Sequence, residues 1–180
     1  ISSIAWTGSQ EQMLIGYENG NLDLISGNSF YNITEILDAP ILGSKSINKI
    51  IAGGDRALLA CDFGIVELDI AGRLILDTWF IGPHGSMVNV NDLLVTDTVI
   101  YAATNAGLLY AATDVANLAD FNNWKQLEVE SSSEELNFAG ILNGKLVVSV
   151  VNRNEDIIYT GHAGNWEKLS PPEGFEVSRN

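Results

Sequence analysis

Residues 57–68 read Ala57-Leu58-Leu59-Ala60-Cys61-Asp62-Phe63-Gly64-Ile65-Val66-Glu67-Leu68, two short apolar runs joined by a polar turn that contains a glycine. The same pattern occurs at residues 13–24 and 100–111, and the three segments align without gaps. Their aligned glycines, Gly20, Gly64 and Gly107, are 44 and 43 residues apart. A fourth copy with a longer turn follows at residues 146–160. Self-similarity at a fixed period indicates a repeat architecture.

Each copy is typical of a β-hairpin. The pair Asn19-Gly20 between two apolar runs is a strong hairpin signal. It predicts a type I′ turn, which needs positive φ at both central residues. Gly64 and Gly107 occupy the same place in their copies, and we expect them to be there for the same reason.

Further strands are predicted on both sides of each hairpin. Earlier strands are predicted at residues 47–51, 90–95 and 136–141. Outer strands are predicted at residues 74–79, 123–127 and 165–169, and less clearly at 30–34. Four antiparallel strands in one repeat form the blade of a β-propeller. We therefore predict an all-β fold, a β-propeller with four blades of four antiparallel strands each.

The four repeats fill the chain, which leaves no room for a second domain. The predicted blades lie at about residues 1–40, 41–85, 86–130 and 131–170, with a tail at 171–180. An open run of blades leaves strand edges and apolar sheet faces uncovered. Three arrangements remain: a small four-blade ring, a partial propeller from a longer ring, or an edge-to-edge homodimer that closes eight blades. The apolar strand pattern at Ile1 favours the partial propeller.

The composition excludes several classes of function. The net charge is −14 and the nine lysines and arginines are scattered, which argues against binding to nucleic acid. No apolar run approaches the roughly 18 residues that cross a bilayer. The single cysteine, Cys61, lies in an apolar run and is interpreted as a small buried hydrophobe. With His84 and His162 far apart in sequence, neither a metal site nor a cofactor is predicted.

Several segments are similar to the amino-terminal propeller of PorZ-like proteins, which belong to the type IX secretion system of Bacteroidetes. These segments are residues 17–25, 43–48, 61–69, 76–82 and 101–107. More loosely, the repeats resemble the two-component-regulator propellers of hybrid sensor kinases. The resemblance to PorZ-like proteins implies a propeller of an outer-membrane attachment complex. That family is associated with handing anionic lipopolysaccharide to a sortase that joins it to secreted cargo.

On this basis we expect a non-catalytic scaffold or binding module of the cell envelope, at the outer-membrane surface or in the periplasm. Its expected partners are envelope proteins, with a glycan or lipopolysaccharide as a further ligand. The alternative is a periplasmic sensor propeller of a two-component regulator that binds a glycan. A propeller lyase or glycosidase would need clustered acid and base side chains, and the repeat shows none.

Two sets of residues recur in three of the four repeats. One is an asparagine in the earlier strand, and the other is a tryptophan in the outer strand. The members are Asn48, Asn91 and Asn137, and Trp79, Trp124 and Trp166. A residue that recurs from blade to blade is expected to have a structural role. We therefore interpret the asparagines as side chains that hydrogen-bond to the backbone of a neighbouring strand. The tryptophans are interpreted as seals between blades.

Features that interrupt the repeat are better candidates for partner binding. They are the loop at residues 82–86 with His84 and Ser86, the insertion at 114–123 with Phe121, and the polar turn at 152–156 with Asn152 and Asn154. The polar turn alternates oxygen side chains, but it lacks the central glycine and the closing glutamate of a calcium loop. No nucleophile elbow surrounds Ser86, so no catalytic residue is predicted.

Overall fold

The computed structural model describes residues 1–8, 11–129, 134–153, 155–162 and 164–170. Sixteen strands in this part of the chain form four sheets, and each sheet has four antiparallel strands that neighbour one another in chain order. The first sheet contains β1 (Ser3–Trp6), β2 (Gln12–Gly16), β3 (Leu22–Ser26) and β4 (Ser29–Ile33). The second contains β5 (Ile47–Gly53), β6 (Arg56–Cys61), β7 (Gly64–Asp69) and β8 (Leu74–Trp79).

The remaining two sheets repeat this plan. The third contains β9 (Val90–Val95), β10 (Val99–Thr104), β11 (Gly107–Ala112) and β12 (Lys125–Leu127). The fourth contains β13 (Leu136–Leu142), β14 (Lys145–Val150), β15 (Ile157–His162) and β16 (Asn165–Lys168). The predicted all-β fold with four four-stranded blades is confirmed, and the run of blades does not close into a ring.

Short helical turns occur in the connections. A one-turn helix, α1 (Glu35–Asp38), follows the first sheet, and 3₁₀ turns occupy Pro83–Gly85 and Phe121–Asn123. The sequence did not predict α1, because a single turn is too short to show helical periodicity.

The type of turn predicted at Asn19-Gly20 is wrong, although the hairpin forms. Five residues rather than two separate β2 from β3. Gly20 has a φ of +85°, Asn19 keeps an ordinary negative φ, and the Gly20 amide donates to the Tyr17 carbonyl over 3.1 Å. This is a type I turn closed by a left-handed glycine. Positive φ at both central residues occurs instead at Asn143 and Gly144, where two residues join β13 to β14.

Apolar cores lie between consecutive sheets. The first joins Leu14 and Leu24 of sheet one to Ile47 and Leu59 of sheet two. The second lies between sheets two and three, and the third between sheets three and four. Because each sheet buries one face against each neighbour, the blades stack as a quasi-one-dimensional array.

Two of the recurring asparagines, Asn48 and Asn91, bond to the backbone of the following blade, as predicted. The first strand of sheets two, three and four has a break in register at its asparagine. The Asn48 side-chain amide donates to the Val90 carbonyl in the next sheet over 2.9 Å. The Asn91 amide donates in the same way to the Leu136 carbonyl over 2.8 Å. The bulge thus turns the asparagine towards the following blade.

The recurring tryptophans lie at the seams between blades. The rings of Trp79, at the end of β8, and Trp124, just before β12, have centroids 6.4 Å apart and are inclined by 46°. Both side chains are buried. The Trp166 indole donates to the Glu128 carbonyl, in the segment before the fourth sheet, over 2.8 Å. The predicted sealing role is confirmed for the contact between Trp79 and Trp124.

Cys61 is buried in the first core, in agreement with its interpretation as a hydrophobe. Burial, together with the neighbouring Asp62 carboxylate, raises the pKa of the Cys61 thiol well above its ordinary value. We expect dithiobis(nitrobenzoate) to modify the native chain at pH 8 more than about 100-fold more slowly than the urea-unfolded chain. Rapid labelling of the native chain would show that this core is open.

Candidate functional site

The connection between β11 and β12 interrupts the repeat most strongly. It comprises residues 113–124, whereas the corresponding connections have two residues in the first sheet and four in the second. We call residues 113–124 the insertion. A blade needs only a short turn at this place, so sheet formation does not account for the additional residues.

The insertion is held in one conformation by hydrogen bonds of its own. The side-chain oxygen of Asn117 accepts from the Ala119 amide over 3.0 Å. The Asn123 side chain donates to the Asn117 carbonyl over 2.7 Å. The Trp124 indole, which is anchored in the seam, donates to the Leu118 carbonyl over 2.8 Å. The insertion therefore presents a preformed surface.

A cavity of about 480 Å³, the inter-blade cleft, lies between sheets two and three on one side of the insertion. Val115 and Leu118 of the insertion line it together with Trp79. Charged groups also line it, and the Arg56 guanidinium forms an ion pair with the Glu67 carboxylate. An apolar cleft with a few polar groups suits a ligand or side chain that has one apolar face.

A second cavity of about 340 Å³, the outer cavity, lies on the other side of the insertion. Phe121 and Trp124 line it from the insertion, and Pro83 and His84 line it from the loop between sheets two and three. The structure thus brings together His84 and Phe121, which the sequence proposed from separate loops. The Phe121 ring also packs on Gly85, where a Cβ atom would lie 3.2 Å from its Cδ1.

The other predicted binding residues lie elsewhere. Ser86 is exposed and closes the turn beside His84, where its carbonyl accepts from the Gly82 amide over 3.0 Å. Asn152 is half-buried in the connection between β14 and β15 of the fourth sheet. Asn154 lies outside the described residues. The binding roles of all five residues remain predictions.

Within the described ranges, no three histidine, cysteine, aspartate or glutamate side chains are placed to hold a metal ion. The Tyr17 phenol donates to the Asp23 carboxylate over 2.8 Å, and this hydrogen bond raises the pKa of Tyr17. That pair lies in the first sheet, away from both cavities. No helix in the described part of the chain is long and apolar enough to cross a membrane.

The inter-blade cleft was not predicted from the sequence. Arg56 and Glu67 lie on adjacent strands of one repeat, so their pairing has a local signal. Their position beside Val115 depends on the insertion folding back over the neighbouring blade. The length of the insertion was the signal that the sequence offered.

The four antiparallel sheets stack on one another and are joined by hydrogen bonds between their first strands. This arrangement defines the chain as a set of β-propeller blades that does not close into a ring. Residues 1–125 match the family model of the N-terminal β-propeller domain of PorZ, a type IX secretion-system component. The chain belongs to this family, and the match covers the first two sheets and nearly all of the third. A search of curated protein sequences gave no match.

Solved structures show the same fold. PorZ of Porphyromonas gingivalis, described as an essential surface component of the type IX secretion system, aligns over 94% of this chain with a TM-score of 0.74 and 23% identity. The extracellular domain of a putative hybrid two-component system from B. thetaiotaomicron aligns over 98% with a TM-score of 0.70 and 16% identity. The chain spans less than a quarter of either structure, 22% and 23% respectively.

Proposed function

We propose that this chain is a non-catalytic binding unit of a PorZ-type propeller at the cell envelope, on the outer-membrane surface or in the periplasm. Its partners are proteins, and the insertion is the element that contacts them. Membership of the PorZ family supports the proposed location at the cell envelope. The choice of contact site is supported by one observation, that the same insertion lines both cavities.

The insertion has the properties of a protein-binding loop. Its internal hydrogen bonds fix its shape before binding, which lowers the entropy lost on association. Phe121, partly exposed at the outer cavity, offers an aromatic ring of the kind that dominates interface energies. Loops on a rigid scaffold are the usual place for recognition.

Charge favours a protein over lipopolysaccharide as the direct ligand of this chain. The net charge is −14, and an anionic glycolipid would be repelled by it. Within the described ranges, no cluster of basic side chains lines either cavity. In the proposed role the propeller positions its protein partners, and any lipopolysaccharide is held by them.

We expect Phe121→Ala to reduce partner binding about tenfold, because an interface aromatic commonly contributes about 1–3 kcal/mol. The test places benzoylphenylalanine at position 121 in cells and compares ultraviolet-induced adducts in the envelope. The matched control is position 42, where an exposed leucine lies in the connection between the first and second sheets. Secretion of type IX cargo is measured in parallel for Phe121→Ala and Leu42→Ala.

The proposal predicts a discrete adduct at position 121 and reduced cargo secretion for Phe121→Ala alone. Equal adducts at both positions, or unchanged secretion with a folded Phe121→Ala chain, would contradict it. Release of reducing ends from envelope glycans, abolished by a single carboxylate substitution, would contradict the non-catalytic assignment.

The inter-blade cleft favours a second candidate, a ligand-sensing propeller that binds a glycan. Its charged side chains Arg56 and Asp77 can hydrogen-bond a sugar, and Val115 and Leu118 beside them offer an apolar surface. Calorimetry with envelope oligosaccharides tests this candidate. Saturable binding that Asp77→Ala weakens and Asp69→Ala leaves unchanged would support it, and absence of heat at millimolar sugar would exclude it.

A further inference from the structure

Two carboxylates lie directly opposite one another in the second sheet, where both line the inter-blade cleft. Glu67 of β7 pairs in register with Asp77 of β8. Like charges in this arrangement destabilise a sheet. Arg56 forms its ion pair with Glu67, and among the described residues no lysine or arginine forms an ion pair with Asp77. The cleft therefore has one cation for two carboxylates.

The fourth sheet has the same three positions with balanced charges. The strand register makes them a lysine, a threonine and a glutamate, namely Lys145, Thr160 and Glu167. The Lys145 ammonium lies 3.7 Å from the Glu167 carboxylate, and the threonine on the middle strand adds no charge. The blade fold therefore does not require a second carboxylate at this place, and Asp77 of sheet two is a candidate for ligand binding.

The cleft also has apolar walls. Four half-buried side chains line it, two from the second sheet and two from the insertion, namely Ile51, Leu58, Val115 and Leu118. The cavity of about 480 Å³ has room for one long side chain. Lysine and arginine lay their methylene stems along apolar surface and keep their charged heads at polar groups. The cleft thus offers both surfaces that such a side chain needs.

We propose that the inter-blade cleft binds an arginine side chain of a protein partner. Its stem lies along Val115 and Leu118, and its guanidinium donates to the Asp77 carboxylate. Arginine suits this site better than lysine, because its planar guanidinium is weakly hydrated and bonds a carboxylate through two parallel N–H groups. The net charge of −14 attracts a partner with a basic surface. This inference rests on the proposed function, since it takes the insertion as the contact element.

Arg56 distinguishes a cationic ligand from a glycan. The Arg56 guanidinium lines the same cleft as Asp77, so it repels a second cation there. Replacing Arg56 by a neutral residue therefore strengthens the binding of an arginine side chain. A glycan that hydrogen-bonds to Arg56 loses affinity by the same change. The two ligands thus respond to one substitution with opposite signs.

The test titrates the isotopically labelled chain with an acetylated and amidated glycine peptide that carries one central arginine. The methyl resonances of Val115 and Leu118 report binding, and we expect them to shift saturably. We expect Asp77→Asn to weaken the affinity about fivefold and Arg56→Gln to strengthen it about threefold. The matched control is Asp55→Asn, which removes an exposed carboxylate of the same sheet outside the cleft. It is expected to change the affinity less than about twofold.

A second peptide has citrulline in place of arginine, which keeps the shape of the side chain and removes its charge. We expect it to bind about fivefold more weakly. Equal affinity for the two peptides, no methyl shifts at millimolar peptide, or weaker binding after Arg56→Gln would overturn the inference.

The crosslink at position 121 reports partner binding in cells independently of the peptide. We expect Asp77→Asn to reduce the yield of that adduct, and Asp55→Asn to leave it unchanged. An adduct that Asp77→Asn does not reduce would overturn this inference while the proposed function stands. Absence of the adduct would contradict the proposed function, and the peptide titration would still decide whether the cleft binds arginine.

Discussion

Trp79→Ala is expected to lower the free energy of unfolding by about 4 kcal/mol, the upper range for truncating a buried aromatic side chain. Trp79 is 4% exposed and packs against the core between sheets two and three. Urea unfolding monitored by circular dichroism measures the change. Trp6→Ala is the control, since Trp6 is 60% exposed, and we expect it to cost less than about 1 kcal/mol.

A double-mutant cycle with Trp124 isolates the contact between blades. Aromatic pairs in this geometry couple by about 0.5–1.5 kcal/mol beyond their burial. Additive effects of Trp79→Leu and Trp124→Leu, with no coupling, would show that the two blades do not meet at this seam.

Gly64→Ala is expected to cost about 4 kcal/mol, because two effects add. Gly64 has a φ of +147°, a backbone conformation that residues with a Cβ atom rarely adopt. A Cβ atom would also lie 2.3 Å from the carbonyl oxygen of Trp79, a backbone atom that cannot rotate away. Thermal and urea unfolding measure the loss.

Gly53→Ala is the matched control in the same sheet. An added Cβ there meets no atom within 4 Å, and the φ of Gly53 is not left-handed. We expect it to change stability by less than about 1 kcal/mol, with a gain if unfolded-state entropy dominates. Equal losses for the two substitutions would show that the hairpin at Gly64 is not as described.

The repeat and the strands could be predicted because their signals are local. Alternating apolar residues and glycine turns recur at a fixed period, and each blade satisfies the same hydrogen bonds. The asparagine ties were also predictable, since a polar residue repeated in every blade must have a repeated partner. The turn at Gly20 was assigned to the wrong type because its length depends on where β2 and β3 stop pairing.

The candidate site could be predicted only in part. The length of the insertion marked it as an interruption, and Phe121 was chosen from within it. Phe121 lies close to His84 because the insertion packs against the loop between sheets two and three. No local sequence pattern indicates this contact. The inter-blade cleft has the same origin, since Arg56 and Val115 meet only when the blades stack.

The blades stack through their inner strands, where Asn48 and Asn91 bond to the following sheet. Nuclear Overhauser spectra of the isotopically labelled chain test it directly. We expect contacts from the Asn48 side-chain amide to the Val90 Hα proton and from the Asn91 side-chain amide to the Leu136 Hα proton. Side-chain amide contacts confined to each asparagine's own sheet would contradict it.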